Sequence, residues 1–268
     1  EYGLTYLSPF VDFADVVLLE ELMRRGFEVV LGVSREEYAR ACAEGWKALR
    51  AFEADLRQRG RETLAELERD HRVGIVVLGR PYHNDPGINH EILVELQKKG
   101  YPILTQDTLP MDDDILGPLF REDVEQGIIQ DPRDITDVWK NCYSENTNRK
   151  VWAAKFVARH PLLVGLELSS FKCGHDAPIY TVVEEIVEKS GTPFFSFRDI
   201  DENKPTGSIK IRVETISYFL TRYRQDLVRE RDKRLKIEDE LLDFEARLRS
   251  EEEGVSAGEV EAQRVAAG

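Results

Sequence analysis

Val73-Gly74-Ile75-Val76-Val77-Leu78 runs directly into Gly79-Arg80-Pro81-Tyr82-His83-Asn84-Asp85-Pro86-Gly87-Ile88-Asn89-His90, and this stretch decides the fold. Its first half is apolar on both faces, the mark of a strand covered on both sides of a sheet. Its second half is a polar turn shaped by prolines and glycines. A buried strand ending in such a turn belongs to a parallel α/β sheet, whose ligands sit beyond the carboxyl ends of the strands.

Working outward, Tyr101–Leu104, Leu162–Leu168 and Pro193–Phe197 read as further strands. Helices are expected between them over about 88–99, 147–158 and 176–190, with Gly100 and Gly191 as stops for the first and last. Residues 110–135 are acidic and loop-rich and read as an excursion or lid. Upstream, Leu4–Leu7 and Phe27–Leu31 read as short strands around a helix that Ser8 and Pro9 begin and Gly26 ends, a parallel crossover unit. Residues 35–69 are helical by the spacing of Tyr38, Cys42, Trp46, Leu49 and Phe52, with Gly45 and Gly60 as candidate breaks.

After about Ile209 the chain becomes one long charged helix with Leu220, Leu227, Leu235, Leu241, Phe244 and Leu248 on an approximate stripe. Its faces read as solvated surface, with a partner-binding or dimerising role as the alternative. From Glu251 the tail is small and acidic and is expected to be disordered. The expected architecture is therefore α/β, with two Rossmann-like lobes of parallel sheet and a long C-terminal helix. A partial first lobe with connecting helices fills 1–70, a second lobe carrying the site 71–210, the charged helix 211–250 and the tail 251–268.

Bulk composition narrows the function classes. With 268 residues, 41% hydrophobic and 33% charged, the chain has enough material for one large domain or two smaller ones. Its net charge of −14 disfavours nucleic acid and anionic membrane as partners, since both require a positive field. No apolar run reaches the roughly 18 residues of a membrane span. The opening Glu1-Tyr2-Gly3 carries neither an initiator methionine nor a basic, apolar leader, as expected for a piece of a longer protein. Three widely spaced cysteines with no CxxC pair fit a reducing, cytoplasmic setting rather than a disulfide framework.

Candidate chemistry follows each strand. Arg80 can present a bidentate guanidinium to a carboxylate or phosphate, with His83 beside it as a second polar group, whereas His90 falls inside the next helix. Asp107 reads most simply as a turn residue. Cys173 sits in Ser169-Ser170-Phe171-Lys172-Cys173-Gly174-His175-Asp176, flanked by Lys172 and His175 and just ahead of an expected helix. The positive end of that helix would favour thiolate, the form that binds iron or attacks an electrophile. Cys142, in Trp139-Lys140-Asn141-Cys142-Tyr143-Ser144-Glu145-Asn146, is the natural second thiolate, and Cys42 reads as core. Asp201 and Glu202 are adjacent and give only a weak metal signal.

Gly79 to Asn89, Phe171-Lys172-Cys173-Gly174-His175-Asp176-Ala177 and Asp201-Glu202-Asn203-Lys204-Pro205-Thr206-Gly207-Ser208-Ile209-Lys210-Ile211-Arg212-Val213-Glu214 together resemble the activase-related branch of the 2-hydroxyacyl-CoA dehydratase superfamily, in order from about Gly3 to Leu220. That resemblance implies paired Rossmann-like lobes and an oxygen-sensitive iron–sulfur cluster, 4Fe-4S or double-cubane, held by cysteines near the lobe interface. Cys173 matches a cluster cysteine by motif and Cys142 by region. It further implies an ATPase activator domain or subunit as partner, and a CoA thioester or other small anion as substrate. A dehydratase subunit normally supplies three cysteines, and only two here stand in suitable loops.

The leading expectation is an iron–sulfur domain for low-potential electron transfer or reduction, with Cys142 and Cys173 as ligands and Arg80 and His83 lining the substrate crevice. The alternative is a cluster-free α/β module that binds an anion or docks within a larger assembly, as a homodimer or beside a neighbour. A third reading uses Cys173 as a nucleophile with His175.

Overall fold

The computed structural model describes residues 3–13, 15–141, 144–170, 173–200 and 206–266. Its strands are β1 (Gly74–Leu78), β2 (Ile103–Thr105), β3 (Leu163–Leu168) and β4 (Phe194–Phe197). They form one sheet in the order β2-β1-β3-β4, and every neighbouring pair is parallel. The helices are α1 (Val16–Leu31), α2 (Arg35–Asp70), α3 (Ile92–Lys98), α4 (Asp113–Glu125), α5 (Glu145–Arg159), α6 (Tyr180–Lys189) and α7 (Thr206–Ala266).

From β1 the chain passes through α3 to β2 on one side, then returns through α4 and α5 to β3 on the other side of β1. The two directions part between β1 and β3. Loops after those two strands therefore face each other across a topological switch point, where open α/β sheets bind ligands.

Strand alternation divides the core into two layers. Val76 and Leu78 pack with Leu64 and Leu67 of α2, Phe120 of α4, Phe156 of α5 and Val183 of α6. Ile75 and Val77 face the other way, toward Ile92 and Leu96 of α3 and Val213, Ile216 and Leu220 of α7. Each such buried side chain contributes about 1.5–3 kcal/mol relative to exposure. That two-sided cover is why the strand sequence is apolar throughout.

α2 starts from a capping box. The Glu37 N–H donates to Ser34 Oγ at 3.2 Å, and the Ser34 N–H donates to the Glu37 carboxylate at 2.9 Å. Against expectation, neither Gly45 nor Gly60 interrupts this helix. Gly60 is there for closeness instead: a Cβ on it would lie 1.7 Å from the Thr108 carbonyl oxygen. It is the point where α2 meets the loop after β2.

The α/β class, the parallel sheet and the long C-terminal helix are as expected, but the strands of the first lobe are not formed. Residues 4–7 have no regular structure and 27–31 complete α1, which begins at Val16 with Asp15 as its cap rather than at Pro9. The helix ends in a left-handed Gly32, φ 65°, not at Gly26. Phe27–Leu31 is rich in strand formers, yet no described strand lies beside it to pair with. The acidic excursion is also more ordered than expected, since α4 buries Leu116 and Phe120 one helical turn apart. The backbone of α7 runs on through residues 251–266.

Candidate functional site at the switch point

After β1, Asp85 folds the polar loop by accepting the Gly87 N–H at 2.8 Å, and Asn89 Nδ2 donates to the His83 carbonyl at 2.9 Å. This sets Arg80 across the switch point. Its Nε donates to Asp176 Oδ1 at 3.0 Å, its Nη2 lies 2.9 Å from the same carboxylate oxygen, and Thr147 Oγ1 of α5 is 3.4 Å from Nη2. Asp176 belongs to the loop after β3. One ion pair therefore ties together two of the three segments on which the resemblance rests.

Behind it lies a buried charge network. Ser169 Oγ donates to Asp176 Oδ2 at 2.8 Å, and the Tyr180 hydroxyl donates to the Ser170 carbonyl at 2.7 Å. Lys150 Nζ of α5 sits 2.9 Å from Glu167 Oε1, off the angle of a hydrogen bond, and 3.8 Å from Asp176 Oδ1. The other Glu167 oxygen accepts from Arg198 Nε at 2.8 Å, and Arg198 reaches on to Glu184 at 2.8 Å. Arg80, Lys150 and Arg198 are thus balanced by Asp176, Glu167 and Glu184. Burial alone would raise the Asp176 carboxyl, but Lys150, the Ser169 hydroxyl and Arg80 outweigh it and hold the group below its ordinary value.

His83 is only 1% exposed. Its Nδ1 accepts the Arg80 backbone N–H at 3.0 Å, which assigns the ring proton to Nε2. Burial is the main cause that pushes its pKa down to about 4; Lys150 and Arg80 add to it and Asp176 opposes. Gly79 makes room for the ring, because a Cβ there would stand 2.9 Å from His83 Nδ1. Tyr82, half exposed, lies close enough to Cys173 for the two groups to interact electrostatically. Burial, then the charges of Cys173 and Asp176, raise the phenol.

The structure therefore brings Arg80, Tyr82, His83 and Cys173 to one edge of the sheet. It corrects the expected cause of Cys173 reactivity. The helix begins at Tyr180 rather than Asp176, preceded by a 3-10 turn over Ala177–Ile179, so the dipole of α6 starts well beyond Cys173. His175 is exposed. Cys142, Asp201 and Glu202 lie outside the described residues. Cys42 lies apart on α2, beside Tyr38, Trp46 and Leu19. His90 is not helical: it is left-handed, φ 53°, in the turn before α3, and its Nε2 is 2.7 Å from the Ile200 carbonyl. Asp107 pairs with Arg149 at 3.0 Å. Sequence reasoning missed Lys150 and Glu167; the one available signal was a lone acid inside the apolar run Leu163–Leu168.

On the β2 side of the Arg80 loop opens a cleft of about 1200 Å³, lined by Phe52 and Arg57 of α2, Leu93 of α3, Gln106, and Arg149 and Trp152 of α5. Cys173 is not part of its wall. A cubane takes four ligands, usually thiolates. Among the described residues Cys173 is the one cysteine at this edge, and no group of three metal-ligating side chains forms. The described residues alone do not complete a cluster site.

Residues 1–109 match the family model of the CoA enzyme activase uncharacterised domain, DUF2229. The match supports the activase-related branch of the superfamily. It spans α1, α2, β1, the Arg80 loop and β2, and ends before the Cys173 loop. An activase-type domain implies a partner enzyme component. No curated protein and no solved structure matches the chain. Among the described residues no helix is long and apolar enough to cross a membrane.

Proposed function

We propose that this chain is the cysteine-bearing α/β module of an activase-related enzyme system. In this reading Cys173 is one thiolate of a 4Fe-4S or double-cubane cluster, completed by Cys142 and by ligands from beyond the described residues. The observation that carries it is the place of Cys173 at the switch point, beside Tyr82, in a loop locked to the Arg80 loop by the Arg80–Asp176 pair. When bound, such a cluster supplies low-potential single-electron transfer. Arg80 holds the two loops in register, and neutral His83 supports the Arg80 backbone from below. An ATP-driven activator would be the electron-donating partner in a reducing cytoplasm, and a CoA thioester or other small anion the substrate.

Anaerobic reconstitution with ferrous iron and sulfide tests this, read by bound iron, visible absorbance and EPR after reduction. The parent chain should colour and Cys173→Ser should lose most of its iron. A colourless parent, or a serine variant that loads equally well, refutes the proposal.

The cleft favours a second reading, a cluster-free binding module, because it opens on the β2 side and Cys173 takes no part in its wall. Calorimetric titration of iron-free protein with acetyl-CoA separates the two. Binding that survives Cys173→Ser but is lost in Arg57→Glu supports the module.

A further inference from the structure

We infer that the outer part of α7 is a self-association helix that pairs antiparallel with a second copy of this chain. Leu220, Tyr223, Leu227, Glu230, Arg234, Ile237, Leu241 and Phe244 follow one another at alternating steps of three and four, the seam of a heptad. The first three pack onto the α3 side of the sheet. Past them the same stripe leaves the body with its apolar side chains uncovered: Ile237, Leu241 and Phe244 are 56%, 55% and 57% exposed, flanked by Leu235 and Leu242. A helix in water gains most of its stability by burying such a face, so this stripe requires a partner.

Charge selects the partner and its direction. Residues 229–236 carry Arg229, Arg231, Lys233, Arg234 and Lys236 against only Glu230 and Asp232. Beyond them stand Glu238, Asp239 and Glu240, and further along the sequence Leu248 continues the heptad and Glu251-Glu252-Glu253 follow. In a parallel pair the basic blocks would lie side by side and repel. In an antiparallel pair with Leu241 of one copy level with Phe244 of the other, Ile237 stands level with position 248. The basic block then lies opposite positions 249–256, with Arg234 level with Glu251. Apolar layers then meet in the middle, and the basic block of each copy meets the Glu251-Glu252-Glu253 run of the other, a match that a second copy of this helix supplies.

Sedimentation equilibrium on the full chain should give a dimer. Leu241→Lys should give a monomer that keeps the near-ultraviolet circular dichroism of the folded body, since that side chain is exposed in the single chain, while its unfolding temperature loses the parent's dependence on concentration. Arg234→Glu should lose the dimer at a concentration where the parent is fully associated, and adding Glu251→Lys should restore it. Nitroxide labels at position 229, in a background with the native cysteines replaced by serine, should lie roughly 40 Å apart at 1.5 Å rise per residue. Labels at position 242, near the two-fold axis, should lie within about 20 Å, helix axes being about 8–10 Å apart. A monomeric parent, a short distance at both positions, or no rescue by the charge exchange overturns the inference.

Discussion

Asp176 accepts from Arg80 and Ser169 and lies within 3.8 Å of Lys150, all in the protein interior. Asp176→Ala leaves the buried Arg80 without its counter-charge, Lys150 keeping Glu167 at 2.9 Å, and such a break costs about 3–5 kcal/mol. Urea denaturation should show it; a loss under about 1 kcal/mol would mean the network does not brace the loops. Acid acts through a different group. His83 and His160 are both pushed down to about 4, chiefly by burial, and are neutral in the fold. Unfolded, they titrate near 6.5, so unfolding takes up protons between about pH 6.5 and 4. Stability is therefore full above that window and falls within it by roughly 1.4 kcal/mol per pH unit per histidine. The lowered Asp176 carboxyl adds its loss only below about pH 4. Urea midpoints at pH 7, 5.5 and 4.5 check this, and a flat series rules it out. At this scale the sequence revealed what was polar and followed an apolar strand, Arg80 and Cys173. It hid Lys150 and Glu167, because a charge inside a helix or strand reads as solvated until its counter-charge arrives from a distant segment.

Two glycines in α2 make opposite predictions. Gly60→Ala forces a methyl into the Thr108 carbonyl and should destabilise by about 1–3 kcal/mol despite the better helix propensity of alanine. Gly45, with nothing within 4 Å of its missing Cβ, should gain roughly 0.5–1 kcal/mol as alanine. Thermal melts of the two variants should move in opposite directions; equal shifts would show that α2 does not touch the β2 loop. All four strands were legible within a residue or two, because each is a short apolar run bounded by turn residues and covered on at least one face. Phe27–Leu31 has the same composition and failed. A strand needs an edge to pair with, and composition carries no information about one. Helix α4 was missed for the converse reason: its acidic exposed face masked Leu116 and Phe120, which are buried in the core with Ile115 and Leu119 packed beside them.

On the scale of the whole molecule, a small sheet carries two very long helices. α2 has 36 residues and α7 has 61, roughly 54 Å and 92 Å at 1.5 Å per residue. A compact chain of this length has a radius of gyration of about 18 Å. X-ray scattering should return a value well above that, and one near it would mean that α7 folds back on the body. Frictional drag, accordingly, is governed by one protruding helix more than by mass. An elution volume calibrated on spheres will overstate the number of copies in solution, while light scattering, which weighs the particle irrespective of its outline, will not.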